Sequence, residues 1–226
     1  MADCYECLRL DGIIYPPSCV YPPELYKYPK PKLPIKLLFL GWNPPKPYGG
    51  FWSLEFDDRL RTDLHRILRT LGKIETPSSD QNFLNEFLGN GYYFIHTVKC
   101  WTEAKFPGFG RDAQSREGRL RKKQVGLPLL YSCVRTHLVY ELKTLNPQKV
   151  CALGELPFLG LCDLYPKLSE TSAAPTQGFV YQKGSCGLPW ILLFSCFPQE
   201  NSVPVKGTQK RKKAWEIVRD HLGTFL

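Results

Sequence analysis

Short apolar runs alternate along this chain with segments whose apolar residues recur every three or four positions. The runs are rich in β-branched, aromatic and Leu residues, which is typical of buried strands. Four strands are predicted in this way: KLLFLG (36–41), YYFIHTVKC (92–100), KVCALG (149–154) and LPWILLFSCFP (188–198). Because these runs are apolar throughout rather than alternating, both faces of the sheet are expected to be covered.

The segments between the strands predict helices. In residues 57–72, Leu60, Leu64 and Leu68 fall at helical spacing, with an Asp near the start and Gly72 at the stop. Further helices are predicted at 79–89, just after 154, at 128–147 and, as a basic terminal helix, at 206–223. Strands that alternate with helices predict an α/β fold, a three-layer α/β/α sandwich around a mostly parallel four-stranded sheet.

The 226 residues are interpreted as a single domain, 1–226, with two unusual segments. Residues 1–34 are rich in Pro and Tyr, which predicts an extended lead-in wrapped on the domain, because successive prolines remove backbone donors. Residues 101–127 carry Gly, Pro and many Arg and Lys, and are interpreted as a basic insert in loop conformation.

The charge balance indicates a polyanionic partner. Thirty Lys and Arg stand against 21 Asp and Glu, a formal net charge of +9 that suits nucleic acid, DNA first. No apolar run has membrane-spanning length and the N-terminus lacks the apolar core of a signal peptide, so we expect an intracellular monomer with no membrane partner.

Nine cysteines are many for an intracellular chain. An odd number without a signal peptide argues against a disulfide framework, which leaves core thiols and metal ligands. Cys4 and Cys7 form a Cys-x-x-Cys pair that suits either an iron–sulfur cluster or zinc, and Cys19 is a rival ligand. The apolar surroundings of four others predict core thiols: Cys151, Cys162, Cys186 and Cys196.

Chemistry is expected where the parallel strands end, since ligands of open α/β sheets bind outside the carboxyl ends of the strands. Three stretches fall there: GWNPPKPYGGFW (41–52), HTVKC (96–100) and SCFPQENSVP (195–204). The first holds a lone Asn43 in a stiff, aromatic-rich loop. From the residues alone, Asn43 capping a turn above core aromatics is the favoured interpretation.

The order of these pieces resembles the uracil-DNA glycosylase superfamily over most of the chain. GWNPP is similar to the Gly-x-Asn-Pro motif of the mismatch-specific and single-strand-selective branches. The cysteines resemble those of the iron–sulfur branch, which implies that Cys4, Cys7, Cys100 and Cys133 hold a structural [4Fe–4S] cluster, with zinc as the alternative.

The resemblance implies base excision repair: hydrolysis of the N-glycosidic bond of uracil or another deaminated base flipped out of DNA. Asn43 would orient the water, Phe51 or Tyr48 would stack on the base, and His96 would read the base or, protonated, stabilise it as it leaves. The remaining implied contacts are Gly41, Trp42 and Asn201 to the base, and Gln199, Ser202, Val203, Lys206, Lys210 and Arg211 to DNA. Val203 begins an apolar tip suited to the gap that the extruded nucleotide leaves.

Two departures from the family pattern keep rival functions open. Phe197-Pro198-Gln199 stands where the family usually has His-Pro-Ser, and His96 stands where the iron–sulfur branch commonly has Asn. The first rival is a non-catalytic nucleic-acid-binding protein on the same fold. The second is an iron–sulfur electron carrier, which would not need the Asn43 loop or the basic runs.

Overall fold

The chain forms an α/β fold around a mixed, mostly parallel sheet of five strands. The computed structural model describes residues 20–21, 28–43, 50–55, 57–75, 79–99, 101–102, 115–170, 179–182, 186–199, 203–204 and 211–226.

Nine strands and seven α-helices lie in these ranges. In chain order they are β1 (Val20–Tyr21), β2 (Leu37–Gly41), α1 (Arg59–Thr70), α2 (Asp80–Gly89), β3 (Tyr92–His96), β4 (Trp101–Thr102), α3 (Arg116–Arg121), α4 (Leu127–Cys133), α5 (Val139–Leu145), β5 (Lys149–Leu153), α6 (Glu155–Leu164), β6 (Phe179–Tyr181), β7 (Ile191–Ser195), β8 (Val203–Pro204), β9 (Arg211–Lys212) and α7 (Ala214–Phe225).

The main sheet has the strand order β3-β2-β5-β7-β6. The four predicted strands are its four parallel members, and their positions are confirmed. The expected count of four is wrong, because β6 pairs antiparallel with β7 at the edge. Its three residues are too few to show a strand pattern in the sequence.

Apolar side chains cover both faces of this sheet. Along β2, Leu38 and Leu40 join one buried cluster while Leu37 and Phe39 join another. The first cluster includes residues of α4, α5 and α6, and the second includes residues of α1, α2 and α7. A strand buried on both sides needs apolar residues at every position, which explains the unbroken run in the sequence.

Helix α1 forms as its sequence predicts. The Asp58 side chain accepts a hydrogen bond of 2.7 Å from the Arg61 N–H and caps the first turn. Leu60, Leu64 and Leu68 are buried, and the chain turns out of the helix at Gly72 with a positive φ of 64°.

The basic insert is helical over part of its length, which corrects the loop expected for 101–127. From residue 116 to residue 145 the chain is one helical run, in which π-helical turns at Lys122–Gly126 and Val134–Leu138 join α3, α4 and α5. Ser115 caps the start by accepting from the Gly118 N–H. Arg, Glu and Lys are good helix formers, so a basic composition does not by itself indicate a loop.

The terminal helix begins later than predicted, at Ala214 rather than near residue 206. The residues before it form β9, which pairs antiparallel with β8 and closes a small two-stranded sheet. This pairing uses backbone groups that a longer helix would need.

At the end of the Pro-rich lead-in, residues 28–34 form neither a helix nor a strand. The Tyr93 hydroxyl of β3 donates a 2.7 Å hydrogen bond to the Pro29 carbonyl. Of the rest of the lead-in, Val20–Tyr21 pairs antiparallel with Trp101–Thr102.

Among the helices of the described ranges, none combines the length and the apolar character that crossing a membrane requires.

Candidate functional site

The carboxyl ends of β2 and β3 lie side by side and carry two of the predicted catalytic residues. Gly41 is the register partner of His96. Beyond the strands the two chains stay together: the Gly41 carbonyl accepts from the Thr97 N–H (2.9 Å) and hydroxyl (2.8 Å), and the Trp42 carbonyl accepts from the Val98 N–H (3.0 Å). These bonds bring Asn43 to the same edge as His96.

Asn43 is half-buried at the point where the loop leaves β2. Within the described ranges its side chain makes no hydrogen bond; residues 44–49, which a turn cap would bond, lie outside those ranges, so the turn-capping interpretation is not tested. Trp42 is half-buried as well and packs against the core. An amide at a strand end that bonds none of the described residues can donate to, or accept from, a water or a base.

Gly41 has a steric reason to be glycine. A Cβ at this position would lie 2.5 Å from the Cζ atom of Phe94. The Phe94 ring in turn is stacked on Phe51, with centroids 4.6 Å apart, so it has little room to move. Gly41 thus lets the start of the Asn43 loop pass directly over a packed aromatic ring.

The expectation that Phe51 stacks on a base is corrected by its burial. Its side chain is 1% exposed and contacts the rings of Phe94, Trp52 and Phe87 at centroid distances of 4.6, 4.9 and 5.1 Å. A ring enclosed by protein rings has no free face. The other aromatic candidate, Tyr48, lies outside the described residues and stays a prediction.

His96 is buried and held in place by Tyr28. Its Nδ1 atom lies 2.7 Å from the Tyr28 hydroxyl, and its ring meets Phe94 edge-on. Burial, reinforced by the positive charge of Lys99, lowers the pKa of His96 from 6.5 to about 3. The lowered pKa favours a neutral imidazole at physiological pH, which speaks against the protonated form of the expected role.

A buried ion pair next to His96 was missed in the sequence. Lys99 is 2% exposed, and its Nζ atom contacts both a Glu141 carboxylate oxygen and the His96 carbonyl oxygen. The negative charge of Glu141 also adds to the effect of burial in raising the pKa of Tyr93. The one available signal was the position of a Lys inside an otherwise apolar strand segment, since a Lys is buried only when it is paired.

Arg61 was missed too, and it fixes the far end of the Asn43 loop. Its guanidinium is buried and donates to the carbonyls of Gly50, Phe51 and Ser53, while its Nε donates to Asp80 at 2.8 Å. Arg61 sits on the buried face of α1, together with Leu60, Leu64 and Leu68. Its role is to position the loop end.

Of the four predicted metal ligands, Cys133 is the one that the structure describes. It is fully buried on α4, and its Sγ accepts a 3.3 Å hydrogen bond from the Lys99 N–H. Cys100 follows Lys99 in the chain but lies outside the described residues, as do Cys4 and Cys7. The described ranges contain no group of three or more potential metal-ligating side chains.

Cys133 belongs to the apolar core cluster that includes Leu129, Leu130 and Val134, so its position fits a core thiol as well as a metal ligand. As a ligand it would gain from its amide hydrogen bond, because N–H groups that donate to sulfur stabilise the thiolates of iron–sulfur sites. The pairing of β1 with β4 also joins the N-terminal segment to the residues just after Cys100. The core interpretation is confirmed for Cys151, Cys186 and Cys196, which are buried, while Cys162 is half-buried.

The predicted DNA loop is only partly described. Gln199 is half-buried after β7, and Arg211 is exposed on β9. Val203 does not form an exposed apolar tip: it is 2% exposed and packs in the core near α7, so that prediction is wrong. The remaining predicted contacts lie outside the described residues: Asn201, Ser202, Lys206 and Lys210.

Comparison of the chain with models of known protein families gave no match, and neither did a search of curated proteins.

Proposed function

We propose that this protein is a DNA glycosylase of the uracil-DNA glycosylase type, which hydrolyses the bond between deoxyribose and a deaminated base, on a three-layer α/β/α sandwich. The observation that carries the proposal is the placement of Asn43 and His96 at the adjacent carboxyl ends of β2 and β3. The Asn43 amide, without a described protein partner, and a neutral, oriented imidazole match what this reaction requires.

In the proposed reaction, water adds to C1′ of the sugar while the bond from C1′ to the base nitrogen breaks. The electron pair of that bond leaves with the base, and the proton released by the water returns to the base or to solvent. Asn43 contributes an amide oxygen that orients the water and an NH₂ group that donates to the base.

His96 acts as a hydrogen-bond donor rather than as a cation. In this proposal the Tyr28 hydroxyl, 2.7 Å from Nδ1, donates to it, so the neutral ring carries its proton on Nε2, which donates to the base as negative charge develops there. This arrangement supplies a donor in a protein whose last motif has Phe197 in place of the usual His.

Cys4, Cys7, Cys100 and Cys133 would hold the structural [4Fe–4S] cluster, or zinc in its place. Such a site ties the N-terminal lead-in to the chain after β3 and takes no part in the bond cleavage.

The test is base release from end-labelled oligonucleotides that each carry one uracil, hypoxanthine, xanthine or mismatched thymine, as single and double strands. We expect the wild-type protein to create alkali-sensitive sites in at least one of them. Asn43→Ala should reduce that rate by roughly two to three orders of magnitude.

Asn85→Ala is the matched control, because Asn85 is an exposed residue of α2 whose side chain accepts a hydrogen bond from its helix neighbour Gln81. If the protein binds DNA without releasing any base, and Asn43→Ala binds equally well, the enzyme proposal is wrong and a non-catalytic DNA-binding protein takes its place.

A further inference from the structure

Tyr28 is fixed against the end of β3 at two neighbouring points. Its hydroxyl lies 2.7 Å from Nδ1 of His96, and the carbonyl of the next residue, Pro29, accepts a 2.7 Å hydrogen bond from the Tyr93 hydroxyl. The rings of Tyr28 and His96 also meet edge to face, with centroids 6.1 Å apart and planes at 68°. Because one strand holds two consecutive residues of the lead-in, the Tyr28 hydroxyl has a defined position beside the imidazole.

The second ring nitrogen of His96 has no such partner. The residue is 5% exposed, and its Nε2 atom makes no hydrogen bond with the described residues. Among the polar atoms of those residues that are both enclosed and unpartnered, Nε2 is not included. Nδ1 therefore faces Tyr28, and Nε2 is the nitrogen that a ligand at the strand end can meet.

The acidity of the two partners decides where the ring proton lies. A phenol is a much stronger acid than the N–H of a neutral imidazole, so a bond in which the Tyr28 hydroxyl donates to Nδ1 is favoured over its reverse. Burial and the positive charge of Lys99 lower the pKa of His96, which keeps the ring neutral with a single N–H. Nε2 then donates and does not accept.

Deamination changes the hydrogen-bonding character of a base at one position. The amino group of cytosine or adenine is a donor, and the carbonyl oxygen that replaces it in uracil or hypoxanthine is an acceptor. An Nε2–H group pairs with this oxygen, which also gains negative charge as the glycosidic bond breaks. Opposite an amino group it leaves two donors unpaired, which is costly in a buried site.

We propose that Tyr28 makes the site selective for a deaminated base over its parent base, by holding the His96 ring proton on Nε2. This inference rests on the proposed glycosylase function and adds a residue to it. Tyr28 acts through His96 and is a positioning residue. Without its hydroxyl the ring proton can move to Nδ1, and Nε2 can then accept a hydrogen bond from an amino group.

The first experiment measures base release from oligonucleotides that differ only in the target base, uracil against cytosine and hypoxanthine against adenine. Tyr28→Phe keeps the ring and removes the hydroxyl. We expect the ratio of kcat/KM for the deaminated base to that for its parent to fall by at least about tenfold, because release of the parent base rises. An unchanged ratio, even with slower release, would show that Tyr28 is only structural and overturns the proposal.

A second readout does not depend on base release. The ¹⁵N NMR signals of an imidazole distinguish its two tautomers, and those of His96, one of four histidines, are assigned by their loss in His96→Gln. We expect the wild-type ring to carry its proton on Nε2, and the Nδ1 signal to shift in Tyr28→Phe as its hydrogen bond is lost. A wild-type ring protonated on Nδ1, or an Nδ1 signal that the substitution leaves in place, overturns the proposal.

Tyr140→Phe is the matched control, since Tyr140 is a tyrosine of α5 that is 67% exposed. It should change neither the ratio nor the His96 signals. If the wild-type protein releases none of the bases, the glycosylase proposal fails and the substrate choice fails with it. The NMR result still shows whether Tyr28 orients the imidazole, so the two failures are distinguishable.

Discussion

The Sγ atom of Cys133 accepts a hydrogen bond from the backbone N–H of Lys99 at 3.3 Å. Cys133 lies on α4 and Lys99 follows β3, so this contact joins two elements that are far apart in the sequence. It places one predicted ligand beside the residue that precedes another, Cys100. If the cluster is present, Cys133 should be one of its ligands and should be needed for metal binding.

We expect Cys133→Ser to lose most of the bound metal, because a hydroxyl is a poor substitute for a thiolate ligand. The measurement is iron, sulfide and zinc content of anaerobically purified protein, with the visible absorbance of a cluster as a second readout. Cys162→Ser, at a half-buried cysteine of α6, is the control and should retain the metal. Equal metal in both variants would show that Cys133 is a core thiol, and zinc without iron would select the alternative metal.

The strands and α1 were predictable because their sequence patterns are strong and local. The run 37–41 is apolar at every position, and the spacing of Leu60, Leu64 and Leu68 leaves one face to bury. The edge strand β6 and the pairing of β8 with β9 were not predictable from the sequence. A segment of two or three residues is too short to show a strand pattern and forms a strand only when a neighbouring strand pairs with it. Helix α3 was missed because its charge was interpreted as a loop signal.

Gly41→Ala should reduce the free energy of unfolding by about 1–3 kcal/mol, because the added methyl group collides with a Phe94 ring already stacked on Phe51. Gly89→Ala is the matched control: its Cβ meets nothing within 4 Å, and Ala is the better helix former. Urea unfolding of the two variants provides the comparison. A Gly41→Ala variant as stable as the wild type would mean that the backbone at Gly41 or the Phe94 ring can shift at little cost.

The pKa of His96 predicts how stability depends on pH. His96 has a pKa of 6.5 in the unfolded chain and of about 3 in the folded protein. Between pH 6.5 and pH 3 the unfolded state therefore binds more protons than the folded state. His96 therefore makes the free energy of unfolding fall as the pH drops from 6.5 toward 3, by at most about 1.4 kcal/mol per unit.

His96→Gln should flatten this dependence, measured by urea unfolding at several pH values in the window. His65 and His221, whose pKa values burial also lowers, act in the same direction and remain in the variant. The difference between the two curves thus isolates His96. Parallel curves would show that His96 is exposed to water in solution, and would remove the reason for treating it as a neutral donor.

The sequence predicted the residues at the strand ends of the candidate site, but not the residues that hold them in place. The Asn43 loop and the strand end at His96 stand out in the sequence because polar residues follow buried strands. The residues that hold them, Tyr28, Arg61 and Glu141, come from a Pro-rich lead-in and two helices. Their roles depend on which elements meet in three dimensions, and no local pattern encodes that. Phe51 and Val203 show the converse, since an aromatic or apolar residue in a loop can equally well complete the core.

Lys99→Met should destabilise the protein by about 3 kcal/mol, because it leaves the Glu141 carboxylate without its cation and the His96 carbonyl without its donor. Lys143→Met is the matched control on α5, the helix that carries Glu141; this lysine is exposed, and its loss should change stability by less than about 0.5 kcal/mol. The double variant Lys99→Met, Glu141→Gln should recover part of the loss, since no uncompensated charge remains. Without Lys99 the pKa of His96 should also move back toward 6.5, which shifts the pH dependence described above. If Lys99→Met alone is as stable as the control, Lys99 reaches solvent and the ion pair does not organise this end of the sheet.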